Sequence, residues 1–266
     1  MNSVTRLLAC ASVFCLLSFQ RPIASADDGF ELKHVPVTQT HSATYLIVNL
    51  GKYDVRVIAA LVPPGAGKNN RQLAAPERAA TGLSLDDYQR LYQARAVASG
   101  GYLASFAPPT PLGLLKSNGV LVSRSHQTWL VEGMYCSNAG QALILQWTQD
   151  ADISNFRDCI QAGPILLHDG KEPNDVPSRQ AIGYNKLAMS IQEQTFLCTL
   201  TGNRIVLGVT DEVNLPTLVN FLRDKVGCLN AIRFTGAETA GLRVNEQLYG
   251  NDRFLFPSAL AVIPRK

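Results

Sequence analysis

Apolar residues recur along this chain with two periods, and the short period dominates. Alternating or β-branched runs predict strands at Tyr45–Leu50 and Tyr53–Val62, joined at Gly51-Lys52 as a hairpin. Further strands are expected at Ala96–Ser99, at Gly113–Lys116 with Val120–Ser123 around the Asn118-Gly119 turn, at Thr128–Met134 and at Ala142–Thr148. Ile165–Leu167, ending at Asp169-Gly170, is another, followed by Thr195–Leu200 with Arg204–Val209 around Gly202-Asn203, then Leu229–Phe234. The longer period occurs twice. Leu85, Tyr88, Leu91 and Tyr92 follow Ser84, a good N-cap, with Asp87 at the third helical position. Leu215, Leu218, Val219, Leu222 and Val226 form the stripe of a second helix, capped by Asn214, with Pro216 in its first turn and Gly227 as its stop. Many strands and few helices predict an α+β protein, a single domain over residues 27–266 built on a large, mostly antiparallel sheet.

The first 26 residues break this pattern. Arg6 precedes an uncharged apolar run, Leu7–Phe19, and Ala24-Ser25-Ala26 supplies small residues for cleavage, so residues 1–26 read as a signal peptide. The run is shorter than the roughly 20 residues a bilayer span needs, and no integral membrane span is expected after cleavage. The expected location is periplasmic or secreted. Cleavage also changes the charge: Arg6 and Arg21 leave, and a formal net charge of +3 becomes +1. A near-neutral chain gives no electrostatic reason to bind nucleic acid. Four cysteines remain after cleavage: Cys136, Cys159, Cys198 and Cys228. In an oxidising compartment an even count favours two disulfides, and of three pairings the sequence-local one, Cys136–Cys159 with Cys198–Cys228, is favoured over the others and over free buried thiols. No C-x-x-C spacing or neighbouring histidine suggests zinc, and no metal or cofactor is expected.

Common catalytic signatures do not fit. Gly65-Ala66-Gly67-Lys68 lacks the first glycine of a phosphate loop and has Asn69 in place of Ser or Thr. Neither G-x-S-x-G nor H-E-x-x-H occurs, and His34, His41, His126 and His168 are scattered. Three glycine-containing strand ends remain: Ala98–Tyr102 with Ser99-Gly100-Gly101, Gln161–Leu166 with Gly163-Pro164, and the segment Phe221–Gly236, which ends in Thr235-Gly236.

In this order, from about Tyr45 to Tyr249, the chain resembles the phosphodiester glycosidase family. That family includes the enzyme that uncovers mannose 6-phosphate by removing N-acetylglucosamine, and exported bacterial relatives. Gly100, Gly101, Tyr102, Gly163, Pro164 and Gly236 match its motifs, and Arg179 before Ile182-Gly183 is aligned with a family arginine. Ser99 replaces the family's Asn and Thr235 its Asp; Glu238 and Thr239 follow closely. The resemblance implies an exported hydrolase acting on a sugar joined through its anomeric carbon to a phosphodiester. Backbone N–H groups of the Gly-Gly turn and a guanidinium would hold phosphate, and one carboxylate would suffice, because phosphate leaves more readily than an alkoxide. The implied catalytic set is Glu238, Arg179 and Thr235, and the substrate-binding set is Ser99, Gly100, Gly101, Tyr102, Gly163 and Gly236. The implied partner is a glycan or sugar phosphate; the oligomeric state is left open. A carbohydrate- or sugar-phosphate-binding envelope protein on the same fold, without catalysis, is the alternative, and a structural envelope protein a third.

Overall fold

The computed structural model describes residues 29–60, 82–148 and 151–265; the signal segment and the Gly65–Lys68 loop lie outside them. The strands are β1 (Phe30–Pro36), β2 (Ser42–Asn49), β3 (Tyr53–Ala59), β4 (Ala96–Ser99), β5 (Leu103–Phe106), β6 (Pro109–Pro111), β7 (Leu115–Ser117), β8 (Val120–Ser123) and β9 (Gly133–Asn138). They continue with β10 (Gln141–Gln146), β11 (Asp158–Ala162), β12 (Ile165–Leu167), β13 (Gln192–Leu200), β14 (Arg204–Val213), β15 (Asn230–Gly236), β16 (Gly241–Val244), β17 (Gln247–Gly250) and β18 (Ser258–Pro264). The helices are α1 (Leu85–Tyr92), α2 (Pro177–Gln180), α3 (Tyr184–Met189) and α4 (Leu215–Asn220).

The strands form an antiparallel, strand-rich single domain, as the pattern predicts, spread over three main sheets. Their orders are β1-β2-β14-β13-β15-β12, β10-β9-β11-β7-β8 and β17-β16-β4-β18-β3, with β5-β6 as a separate ribbon. One face of each sheet contributes to a common interior, where Leu46, Val57, Ala98, Leu115, Tyr135, Leu197, Phe234 and Leu260 are buried together. That shared interior explains the alternation in the sequence: one face of each strand meets the core, and the other meets helices, water or, on the second sheet, the loop residues Trp147, Ile153 and Phe156.

Helices cover two of the outer faces. The α4 stripe packs on Tyr45, Phe196 and Val206 of the first sheet, and α1 lays Leu85 and Tyr88 on Ile58, Val97 and Ala261 of the third. Both caps form as expected. Ser84 Oγ accepts from Asp87 N at 3.1 Å, and Asn214 Oδ1 accepts from Thr217 N at 3.0 Å. Past Asn220, α4 widens into a π-helical turn, Phe221–Val226, before Gly227 stops it. The two disulfides are Cys136–Cys159, joining β9 to β11, and Cys198–Cys228.

Two local expectations differ from the structure. β2 and β3 do not form a hairpin: Gly51-Lys52 turns a corner between two sheets, with Asn49 closing the turn through its carbonyl and side chain. The run from Thr128 begins as a 3-10 turn, Trp129–Val131, capped by the Thr128 hydroxyl, and strand pairing starts only at Gly133. At Thr128 a local polar cap outcompetes an extended pattern, and at Gly51-Lys52 both strands form but join different sheets; periodicity alone registers neither.

Candidate functional site

Buried polar side chains gather where the ends of β4, β13 and β15 meet. Interiors seldom contain so many: Ser99, Gln194, Thr195, Arg233, Thr235 and Thr239 are all at least nine-tenths buried. Register shifts where β13 pairs with β14 and with β15 open the ladder here, and such bulges re-aim side chains at strand ends.

Each hydroxyl has a partner. Ser99 Oγ lies 3.0 Å from Thr195 Oγ1 and accepts from Gly241 N at 3.2 Å. Thr239 donates to Gly236 O at 2.8 Å, so Thr235, at 2.5 Å, donates to Thr239. Gly100 is required by close approach: a Cβ there would meet the Ala259 backbone of β18 at 2.8 Å. The following Gly101, at φ +80°, turns the chain so that Tyr102 reaches across to donate to Gly163 O at 2.8 Å.

Arg233 lies at the centre of this arrangement. It extends from β15, only 2% exposed, and donates to the Gln194 side-chain oxygen and the Tyr102 hydroxyl oxygen. Both acceptors are oriented: Gln194 Nε2 donates to Val213 O at 3.0 Å, and the Tyr102 hydrogen is used on Gly163. The guanidinium carbon stands 5.3 Å from the Tyr102 ring centroid. Gly236 is a glycine because a Cβ would collide with the guanidinium and come within 2.8 Å of Glu193 O. Among the described residues no carboxylate pairs with Arg233. Burial alone pushes its pKa down to about 9, so it stays protonated at neutral pH. A buried, oriented cation with only neutral partners suits an incoming anion.

Beyond Gly236 a cavity of about 400 Å³ is lined by Gln192, Glu193, Glu212, Ala237, Glu238, Asn251 and Arg253 among others. Glu193 is half-buried, and its carboxylate accepts from the Asn251 amide. Burial, followed by the nearby charges of Glu212 and Asp211, holds its pKa above the usual range against the Asn251 bond and Arg253.

The structure thus brings Ser99, Gly100, Gly101, Tyr102, Gly163, Thr235 and Gly236 together. Glu238 lies at the cavity mouth, its side chain 64% exposed and 4.0 Å from the Arg253 guanidinium. Arg179 makes its contacts elsewhere. It approaches Glu172 at 2.9 Å, a contact off the N–H axis, donates to Pro173 O, and stacks at 4.5 Å over the Tyr184 ring. Arg233, Gln194, Glu193 and Asn251 are absent from the sequence-based set. Arg233 had a readable signal, a lone charge inside the apolar run Ala231-Ile232-Arg233-Phe234.

The profile of the phosphodiester glycosidase family matches residues 92–263, which include this whole cluster. The chain belongs to the phosphodiester glycosidase family. Its fold is similar to the catalytic domain of zebrafish N-acetylglucosamine-1-phosphodiester alpha-N-acetylglucosaminidase, auto-inhibited by its pro-peptide. That match has 16% identity and a TM-score of 0.65, and covers 89% of this chain and 82% of that one. A hypothetical protein from Synechocystis is similar at 12% identity and TM-score 0.66, over 89% of this chain and 62% of that one. A Burkholderia pseudomallei protein described as exported matches at 10% identity and TM-score 0.59, over 84% and 74%. No curated protein sequence matches the chain. Within the matched region, the cluster combines the glycines Gly100, Gly101 and Gly236 with the buried hydroxyls of Ser99 and Thr235.

Proposed function

We propose that this protein is an exported hydrolase that cleaves the bond between a sugar's anomeric carbon and a phosphodiester. The observation that carries this reading is Arg233, a buried guanidinium with no carboxylate partner among the described residues, framed by the Gly100-Gly101-Tyr102 and Thr235-Gly236 segments. A phosphodiester supplies the missing negative charge, and its departure as a phosphomonoester adds a second charge that the guanidinium stabilises further as the bond breaks. In this role Arg233 replaces Arg179. Two disulfides fit an oxidising compartment.

A second reading has its own observation. Thr235, with its hydroxyl donated to Thr239, offers no base at the family's Asp position, and a protein of this construction can bind sugar phosphates without cleaving them. Incubation with glycosyl 1-(4-nitrophenyl phosphate) diesters of glucose, mannose and N-acetylglucosamine separates the two, with phosphatase coupled to release nitrophenol. Turnover that is lost in Arg233→Met supports the hydrolase. Calorimetric binding of these diesters without turnover establishes the binding protein in its place, and neither binding nor turnover overturns both.

A further inference from the structure

We infer that Glu193 is the catalytic base of this site, activating the water that attacks the anomeric carbon. The inference rests on the hydrolase reading and supplies the carboxylate that reading needs. Three glutamates line the cavity beside Gly236, and only one is built in. Glu212 and Glu238 are exposed, whereas Glu193 is half-buried and oriented by the Asn251 amide. It sits at a bulge in the β13–β14 pairing: Gln192 pairs with Val213 and Gln194 with Thr210, so Glu193 stands opposite the two residues Asp211 and Glu212 of β14 and outside the paired ladder. The next residue, Gln194, holds the Arg233 guanidinium, and the Glu193 carbonyl lies against Gly236 on the same turn that Arg233 covers. One short stretch of backbone therefore fixes both an anion-holding cation and a carboxylate facing open volume.

The division of labour is chemically sufficient. The Glu193 carboxylate takes a proton from water, and the water oxygen bonds to the anomeric carbon. The bond from that carbon to the phosphate oxygen breaks, and its electron pair leaves with the phosphomonoester, held by Arg233. Carboxylic acid, free sugar and phosphomonoester dianion account for every atom and charge, and the proton returns to solvent. Such a leaving group needs no acid. A carboxylate whose proton affinity is raised by burial is a better base near neutral pH. The charges facing it are Glu212 and Asp211 from β14, Glu238 from the turn after β15, and Arg253.

The test uses the coupled assay on the whole protein, its Glu193→Gln, Glu193→Ala and Glu238→Gln variants, with unfolding curves to verify that each folds. Glu193→Gln is expected to lower kcat by about 10²- to 10⁴-fold with KM little changed, and to remove the acidic limb of the wild-type pH profile. Loss of kcat in Glu238→Gln with Glu193→Gln unaffected overturns the inference in favour of the carboxylate at the cavity mouth. Added azide should restore turnover in Glu193→Ala and give the glycosyl azide of inverted configuration, a product that a merely structural role does not yield. Wild-type turnover with Glu193→Gln equally active overturns the inference and leaves the hydrolase reading intact. Absence of wild-type turnover on all three diesters overturns the hydrolase reading itself, and the base role falls with it.

Discussion

Arg56 and Arg233 both lie largely out of water, and on opposite terms. Arg56, on β3, meets Asp158 at the start of β11: Nε donates to Oδ2 at 2.9 Å and Nη2 to Oδ1 at 3.3 Å. The Asn118 backbone N–H completes the carboxylate at 2.5 Å, and the Asp158 side chain is only 2% exposed. That pair ties the second and third sheets together, and Arg157 Nε lies 3.7 Å from the same carboxylate. Arg233 is more deeply buried, and among the described residues its side chain has only the neutral oxygens of Gln194 and Tyr102. Burying a charge is tolerated when its partner is supplied. For Arg56 the chain supplies it; for Arg233 we assign the partner to the substrate.

The contrast breaks most visibly at Asp158. Asp158→Ala strands the Arg56 guanidinium and the Asn118 N–H and should cost about 3 to 5 kcal/mol in urea unfolding. Replacing both members with apolar residues, Arg56→Met with Asp158→Leu, should recover much of that loss, because neither charge then remains buried. Arg233→Met should act in the opposite sense. It relieves the desolvated charge but leaves two acceptors unmet, so unfolding should move by no more than about 1 to 2 kcal/mol. Affinity for a glycosyl phosphodiester, read by calorimetry, should fall by about 2 kcal/mol or more, roughly thirtyfold. Equal effects of Asp158→Ala and Arg233→Met on stability would erase the distinction between a structural and a ligand-facing arginine.

How far this was readable from the sequence follows from the same pair. The strands, both capped helices and the disulfide partners were legible because each is written locally, in alternation, a capping residue or loop proximity. The glycine ends of the site were legible for the same reason, since close approach at Gly100 and Gly236 leaves no room for a side chain. Arg233 was visible as a misplaced charge but not as the arginine of the site. Its partners come from Tyr102 and Gln194, 131 and 39 residues away, and no local rule ranks it above Arg179. Glu193 was hidden for a related reason: it stands opposite a β14 bulge beside the cavity, and periodicity does not register a bulge in a partner strand. The corner at Gly51-Lys52 shows the limit again, because a turn signal does not say whether the flanking strands pair or part.

Gly236 offers a finer cut. Gly236→Ala places a methyl where the Arg233 guanidinium lies and close to Glu193 O, which should cost about 1 to 3 kcal/mol as overpacking. In an Arg233→Ala background the space is vacated, and the cost should shrink by about 1 kcal/mol. A double-mutant cycle in urea measures this as a coupling energy. Strict additivity would mean that Gly236 is kept for some reason other than the arginine above it.

The smallest effect concerns the carboxylate on the other side of that glycine. Burial raises the Glu193 pKa in the folded protein above its value of about 4.3 in an unfolded chain. Between those two values the folded state binds more protons than the unfolded one, so stability must fall as pH rises through the window and stay lower above it. This is the reverse of the behaviour of a carboxylate stabilised by a cation. Asp252 is also raised by burial and adds a loss of the same sign, so wild type alone does not isolate Glu193. The difference between wild type and Glu193→Gln does, because Asp252 is common to both. Across a pH series of urea unfolding, the variant should gain on wild type as pH climbs through the window, with the gap constant above it. A gap that opens instead as pH falls would mean that Glu193 is held as an anion by a charge partner, which would place it with Asp158 and not beside an open catalytic cavity.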